Sequence, residues 1–560
     1  MAGIGFELKK LFEKKGVLSK MKAYGYTGII TTGPMLLGFA FLLGINWVGE
    51  WYKLDTHSRD LFVSMVTYSL FASLVFTSLF SMVITRYVAD VEYVDKNSSE
   101  KAQLKQHRMI LPSFDGILFV MLPIGGILYA IFLYFAGISL VDAVLNFIIF
   151  EELLVVWTQM TYLTAVNHYK EIMLTYVVAI LLAFIIAVLL SAFAGVSLTS
   201  LLISVCSGYG IMVLGNLWAL YDFFPANIEK NCIEHYDYYN LQKNKSTRKK
   251  KDKKEILLSY RHEDQGAFEY LKWFDEYKSL VTIGFFSTVG LFAHLIIAWF
   301  GPIGIHVQGL YYAAPQHDVP ALFAFLTIII TTINFVTSVE VNFYPKYAKY
   351  YQLFNGQGSI KEIEQAEKEM LTVLEREIGY TSKRQLYFTA VMISVGLIIL
   401  TQPWTQLGFT ALMGGYFRTL CVAYGIYAIG NILMLMLLYF TDYKSAAFAT
   451  VVFAVISVVG SVLSNIFLDT KFYGIGFAVA SIFYFAICLY KLIKFTNRLS
   501  YHILSKQPLL REEKIGFFTK ASAFLNHTTK EIDYKLHFAF NRRKIKKYAE
   551  SKSQYDKINK

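Results

Sequence analysis

Glu151 and Glu152 stand side by side in the middle of an apolar stretch, ISLVDAVLNFIIFEELLVVWTQMTYLTAV, at 138–166. A carboxylate in hydrocarbon costs roughly 2.5 kcal/mol or more on insertion scales, so its retention points to proton carriage, charge pairing or contact with a polar cargo. Adjacent helical residues lie about 100° apart, so the two acids cannot share one direction. Glu152 and Gln159, seven apart, share a face; Glu151 and Thr158 share another. Glu152 is also nearer in angle to Asp142. We therefore expect Glu152 to meet a water-filled cavity and Glu151 to be buried within its own bundle. A buried, unpaired carboxylate can carry a proton; a protonated or paired glutamate that merely holds helices together is the plainer alternative. Arg418 is the only basic residue well inside a predicted span. It is expected between helices, paired with a glutamate or donating to cargo. Phe417, Tyr424, Tyr427 and Asn431 fall on one face of the same span. With 39 Tyr and 46 Phe in the chain, helix packing or lipid contact accounts for such a stripe by default.

The elements that position these residues are membrane spans. The chain of 560 residues is 55% hydrophobic and only 17% charged, against about a quarter charged in soluble domains. Twelve stretches are long enough to cross a bilayer, which takes about 20 helical residues. They lie near 24–49, 61–85, 110–136, 138–165, 171–194, 197–224, 279–303, 319–343, 385–403, 408–440, 445–468 and 473–492. Charge tests that count. With the N-terminus inside, the cytoplasmic segments take nearly all the Lys and Arg: six in the arm, five in 86–109, twelve in 225–278, seven in the 344–384 loop and seventeen after 490. The outer loops hold only Lys53, Arg59 and Lys471. This is the positive-inside asymmetry, and it alternates without a break. The net charge of +12 is thus a topology signal, spread over membrane-flanking loops, and nucleic acid is not the expected partner.

The fold class follows: an all-α membrane protein of about twelve helices in two six-helix halves. We divide it into an amphipathic cytoplasmic arm (1–23), an N-terminal half (24–224), a basic linker (225–278), a C-terminal half (279–492) and a basic cytoplasmic tail (493–560). The arm carries Ile4, Leu8, Leu11 and Phe12 on one helical face with lysines around them, which suits a membrane surface. No cleavable signal peptide is expected. The linker's KNKSTRKKKDKKE run is expected to be a solvated segment near anionic lipid. The aromatic tail, with Phe517, Phe518, Phe524, Phe538 and Phe540, is expected on the membrane surface or on a partner. Gly28-Ile-Ile-Thr-Thr-Gly33 is faintly echoed by Gly284-Phe-Phe-Ser-Thr-Val-Gly290 at the start of the second half, as parallel repeats would predict. Cys206, Cys232, Cys421 and Cys488 suggest neither a disulfide nor a metal site, and no cofactor is expected. No phosphate-binding G-x-x-x-x-G-K-[ST] motif occurs. The longest outer loop, near 301–320, carries His306, Tyr311, Tyr312 and His317 but is too short for a catalytic domain.

The opening MAGIGFELKK together with AYGYTGIITTGP resembles the start of the PelG family. Those proteins are inner-membrane transporters of the Pel exopolysaccharide, within the larger superfamily of multidrug, oligosaccharide-lipid and polysaccharide exporters, which are built from paired six-helix halves. The resemblance implies a growing polysaccharide rich in N-acetylgalactosamine as cargo. It also implies partners: a cytoplasmic glycosyltransferase that uses nucleotide sugars, and small membrane proteins, one of them a cyclic-di-GMP sensor. For such cargo Tyr424 and Tyr427 could pack on sugar rings and bond their hydroxyls. Two other readings stay open. One keeps the fold and moves a lipid-linked oligosaccharide or a small molecule with a coupling ion. An anionic lipid pyrophosphate would call for a cation-lined cavity, whereas the spans carry acids and one arginine. The other is a membrane-embedded glycosyltransferase or acyltransferase, against which the short outer loops argue.

Overall fold

A computed structural model describes residue 38 and residues 40–97, 110–165, 169–223, 266–400, 410–505 and 516–529. The amphipathic arm, the Gly28–Gly33 motif, the lysine run at 243–255, Cys232, Phe538 and Phe540 lie outside the described residues. Helices occupy 40–51 (α1), Thr56–Asn97 (α2), Ile110–Phe135 (α3), Leu140–Ala165 (α4), Tyr169–Phe193 (α5) and Leu198–Phe223 (α6). A short helix, Leu271–Glu276 (α7), precedes Lys278–Trp299 (α8). A hairpin of Ile305–Gln308 (β1) and Tyr311–Ala313 (β2) follows. Then come Pro315–Leu326 (α9), Ile329–Thr337 (α10), Tyr344–Gln352 (α11), Ile360–Leu400 (α12), Ala411–Tyr439 (α13), Tyr443–Phe467 (α14), Ile475–Thr496 (α15), Leu499–Ser505 (α16) and 517–529 (α17).

In each of the twelve predicted spans the described residues are mostly helical. Among the described residues nine helical segments are long and apolar enough to cross a membrane. The other three predicted spans are not among those nine. Most of the first precedes the described residues; α4 contains Asp142, Glu151 and Glu152; and α12 starts in a charged stretch before it becomes apolar. The 344–384 segment, expected as a loop, is largely helical. Ser359 and Glu362 form a reciprocal cap there, the Ser359 amide donating to Glu362 at 2.8 Å and the Glu362 amide to Ser359 Oγ at 3.4 Å, so α12 starts some 25 residues before the predicted span. The predicted eighth span is broken between α9 and α10 at Thr327 and Ile328. Gln385 of α12 meets the break. It donates to the Thr327 carbonyl at 3.4 Å and accepts from Thr331 Oγ1, supplying partners to irregular backbone at membrane depth.

By packing, the chain forms two compact units. The larger comprises 1–85, 121–217 and 279–511 and so holds most of both predicted halves. Its seam is α2 against α8. Gly284 lies on the Ser78 carbonyl, where any Cβ would overlap that oxygen. Further along, Phe71 meets Phe292 with centroids 4.8 Å apart, and Tyr68 stacks on Trp299 at 4.7 Å. Small residues at such crossings let helices approach closely where no hydrophobic effect drives them together.

The smaller unit comprises 86–120, 218–278 and 512–560. Trp273 donates to Asp90 at 3.0 Å and packs edge-on against buried Tyr87. Asp275 of α7 caps α17 from outside, accepting from the Thr519 amide at 2.7 Å and its hydroxyl at 2.9 Å. Asn526 returns the favour by accepting from the Phe268 amide at 2.9 Å. Phe518 packs on Phe274, while Phe517 and Phe524 stay exposed. A lost side-chain cap costs about 1 kcal/mol, up to about 2. Asp275→Ala should therefore loosen α17, and limited proteolysis should cut within 517–529 about fivefold faster than in wild type.

Candidate functional site

α4 carries the two acids, and the structure separates them as the 100° rule requires. Glu151 turns to α3, where its Oε1 occupies the space a Cβ on Gly126 would need. Glu152 turns to α6, where a Cβ on Gly210 would stand 3.1 Å from its Oε1. Both side chains are half-buried. Neither carboxylate has a hydrogen-bond or ion-pair partner among the described residues, and Oε2 of each is buried. Asp142 and Gln159 share the α6 side with Glu152. Asp142 Oδ1 accepts from Thr199 Oγ1 at 2.9 Å, its Oδ2 from Ser139 Oγ at 2.7 Å, and Gln159 Nε2 donates to the Val213 carbonyl at 3.0 Å. Asp142 and Gln159 thus both bond to α6, the helix that Glu152 faces. Asp142 is spent on fixing the start of α4 to α6. Glu152 and Glu151 are unspent, and can hold protons or accept hydrogen bonds from hydroxyls. Cys206 lines the same face, its thiol reaching the Leu145 carbonyl at 3.4 Å.

In the C-terminal half the stripe on α13 is occupied by protein. Tyr424 is buried, with its hydroxyl 3.0 Å from His294 Nε2 and its ring against Phe325 and Phe477. Tyr427 stacks on Phe453 and Tyr484. Phe417 is buried, and Asn431 is half-buried. These rings pack helices together, and no face of Tyr424 or Tyr427 is left for a sugar in this conformation. Arg418 corrects an expectation. It is exposed rather than enclosed between helices, and its Nε donates to the Gly414 carbonyl one turn back at 3.2 Å. It pairs with no carboxylate among the described residues. Arg418 sits only two turns into α13, and a long side chain so near a helix end can snorkel towards the interface.

Sequence reasoning missed a polar cluster one turn from Asp142. Asn146 is fully buried; it accepts from Ser69 Oγ and donates to the Tyr311 hydroxyl at 2.7 Å, and Ser69 also meets the Tyr129 hydroxyl at 2.9 Å. Asn146 at i+4 from Asp142, alone in apolar surroundings, was the available signal. Tyr311 belongs to the hairpin, which fastens onto the N-terminal half at several other points. The Leu310 amide donates to the Ala136 carbonyl, Gln308 to the Gly137 carbonyl, and His57 to the Val307 carbonyl at 3.1 Å. Gly309 has φ +57°, and a side chain there would overlap the Ala136 carbonyl, so glycine is required on two counts. Tyr68 seats the hairpin, donating to the Tyr312 carbonyl at 3.2 Å and accepting from the Tyr312 amide at 3.1 Å. Tyr68→Phe keeps the stack on Trp299 and removes both bonds, about 1 kcal/mol each. Amide exchange in 305–313 should accelerate about tenfold or more, with α13 unchanged.

Comparison with known proteins completes the assignment. No curated protein sequence matches the chain. Among solved structures, a MATE in the bent conformation is 12% identical with a TM-score of 0.49, covering 90% of this chain and 99% of that one. An inward-facing multidrug resistance MATE family transporter of the MOP superfamily is 12% identical, TM-score 0.49, with coverages of 86% and 100%. A MOP superfamily transporter from Pyrococcus furiosus is 14% identical, TM-score 0.47, with coverages of 87% and 97%. These likenesses are too distant to argue from. The family model for PelG, exopolysaccharide exporter (EPS-E), matches residues 1–241 and 254–504. The chain is a multi-pass membrane protein and belongs to the PelG exopolysaccharide exporter family.

Proposed function

We propose that this protein exports Pel, an N-acetylgalactosamine-rich polysaccharide, across the bacterial cytoplasmic membrane as a cytoplasmic glycosyltransferase extends it. The family match over most of the chain carries this reading. Charge supports the orientation: both termini and the 225–278 linker inside, the hairpin at 305–313 outside. The hairpin would then be an outer seal, fastened to the N-terminal half by Tyr68, Asn146 and His57. Export would require those contacts to part, either for a rocking of halves or for a threading chain. The small membrane proteins of the system, including a cyclic-di-GMP sensor, would meet the inner face, where the basic linker and tail lie.

Cargo chemistry favours a neutral or cationic polymer. Glu151 and Glu152 are carboxylates without protein partners among the described residues, and an anionic lipid pyrophosphate would be repelled there. Deletion of the gene should abolish surface polymer that binds an N-acetylgalactosamine-specific lectin, and the wild-type gene should restore it. Unchanged surface polymer, with a lipid-linked oligosaccharide accumulating in the membrane, would instead establish the flippase reading.

A further inference from the structure

Two buried histidines in the C-terminal half have no part in the reading above. His294 of α8 is 2% exposed and His317 of α9 is 1% exposed. Their rings meet edge to face, with centroids 5.2 Å apart. His294 Nε2 lies 3.0 Å from the Tyr424 hydroxyl, while its Nδ1 is buried with no partner. His317 Nδ1 is likewise buried, neither Nδ1 has a hydrogen-bond partner among the described residues, and His317 Nδ1 faces Asp318 Oδ1 across 3.9 Å. Asp318 Oδ1 is itself unmatched, whereas Oδ2 accepts from Trp299 Nε1 at 2.8 Å and from the Ala314 amide at 3.1 Å. Unsatisfied polar atoms of this kind are rare in folded proteins and call for an explanation. Here three of them, two imidazole nitrogens and a carboxylate oxygen, lie in one connected set.

We propose that His294, His317 and Asp318 form a proton-binding site in the C-terminal half, at the foot of the hairpin. A proton taken up at His317 Nδ1 makes an imidazolium, and a closure of about 1 Å turns its approach to Asp318 Oδ1 into a charge-assisted hydrogen bond of the usual length. His294 lies against that ring, with its Nε2 3.0 Å from the Tyr424 hydroxyl. Among the described residues the surrounding titratable groups offer no competing charge. α13 contributes Tyr416, Tyr424, Tyr427 and Cys421; α15 contributes Tyr484 and Cys488; the hairpin contributes Tyr311 and Tyr312; and α2 contributes Tyr68. α14 has Tyr443 and Lys444 only at its far end. Tyr473, before α15, is bonded to the Asn465 carbonyl. A metal ion is not the better occupant, because among the described residues no three metal-ligating side chains converge. The site also has a mechanical outlet. Asp318 holds Trp299 and the end of β2, and Trp299 is the residue on which Tyr68 stacks. Moving Asp318 towards an imidazolium therefore pulls on the contacts that seat the hairpin.

The test reads proton occupancy rather than transport, so it is independent of the cargo. Full-length protein labelled with 15N-histidine is placed in lipid nanodiscs and its imidazole resonances are followed from pH 8 to pH 5. His294→Gln and His317→Gln assign the two signals. The expected result is that at least one ring passes to the imidazolium form within this range, and that Asp318→Asn lowers the imidazolium fraction of His317 at pH 5 at least about twofold. Two rings that remain neutral at pH 5, or an Asp318→Asn variant with an unchanged His317 fraction, would overturn the proposal. Should a variant fail to fold, the wild-type spectrum decides, since these two are the buried rings among the described histidines, and both remaining neutral refutes the site.

Discussion

Gly284→Val is expected to abolish polymer export and to reduce the folded, monodisperse protein several-fold. The added side chain would meet the Ser78 carbonyl oxygen, part of the α2 backbone, which cannot rotate away as a side chain would. α8 must then withdraw from α2. The withdrawal opens Phe71–Phe292 and Tyr68–Trp299 further along the same seam. Overpacking of this kind typically costs about 1–3 kcal/mol, and here it falls on the contact that joins the two halves. Gly415→Ala is the matched control, since a Cβ there meets nothing within 4 Å and alanine favours a helix by about 1 kcal/mol over glycine. Fluorescence-detected size-exclusion of both variants checks the contrast. A normal profile and normal export for Gly284→Val would mean that the seam is looser than the structure shows.

Glu152→Gln should leave protein abundance near the wild-type level while export falls about tenfold or more. The substitution keeps the shape beside Gly210 and removes the ionisable proton. A carboxylate at this depth with no partner among the described residues can hold a proton or meet a polar cargo. Glu151→Gln is expected to act more through stability, because Glu151 is fitted against Gly126. Export and membrane abundance, measured together for both variants, separate the roles. Normal export by Glu152→Gln with a clear loss for Glu151→Gln at equal abundance would exchange the assignments. Normal export by both would leave the two acids purely structural.

The placement of these acids was legible because it needs only helical geometry. Glu151 and Glu152 had to diverge, and Glu152 and Gln159 had to share a face, whichever helices received them. Which helices those would be was not legible: both receiving glycines, Gly126 and Gly210, belong to the same half as α4. That the chain is built of apolar spans could be read for a similar reason, since hydrocarbon thickness sets the length an apolar helix needs. The failures came where tertiary contacts override a local rule. The break at Thr327 exists because Gln385, 58 residues away, satisfies it. The hairpin depends on Gly309 and on carbonyls of Ala136 and Gly137. The tyrosines of α13 were legible as a stripe with packing or lipid contact as its default account, but not their partners, since Phe453, Phe477 and Tyr484 come from α14 and α15. Arg418 misled because the expectation treated depth in the span as enclosure, and a residue two turns from the end of α13 need not be enclosed.

Reconstitution tests the central claim most directly. The protein is placed in vesicles with its cytoplasmic face outward, and a polymerising glycosyltransferase with nucleotide sugar is supplied outside. Polymer protected from added glycosidase inside the lumen is then measured. The account predicts protected polymer that depends on this protein and is lost with Glu152→Gln. Polymer that forms but stays wholly accessible to glycosidase, with correctly folded and oriented protein present, would contradict it.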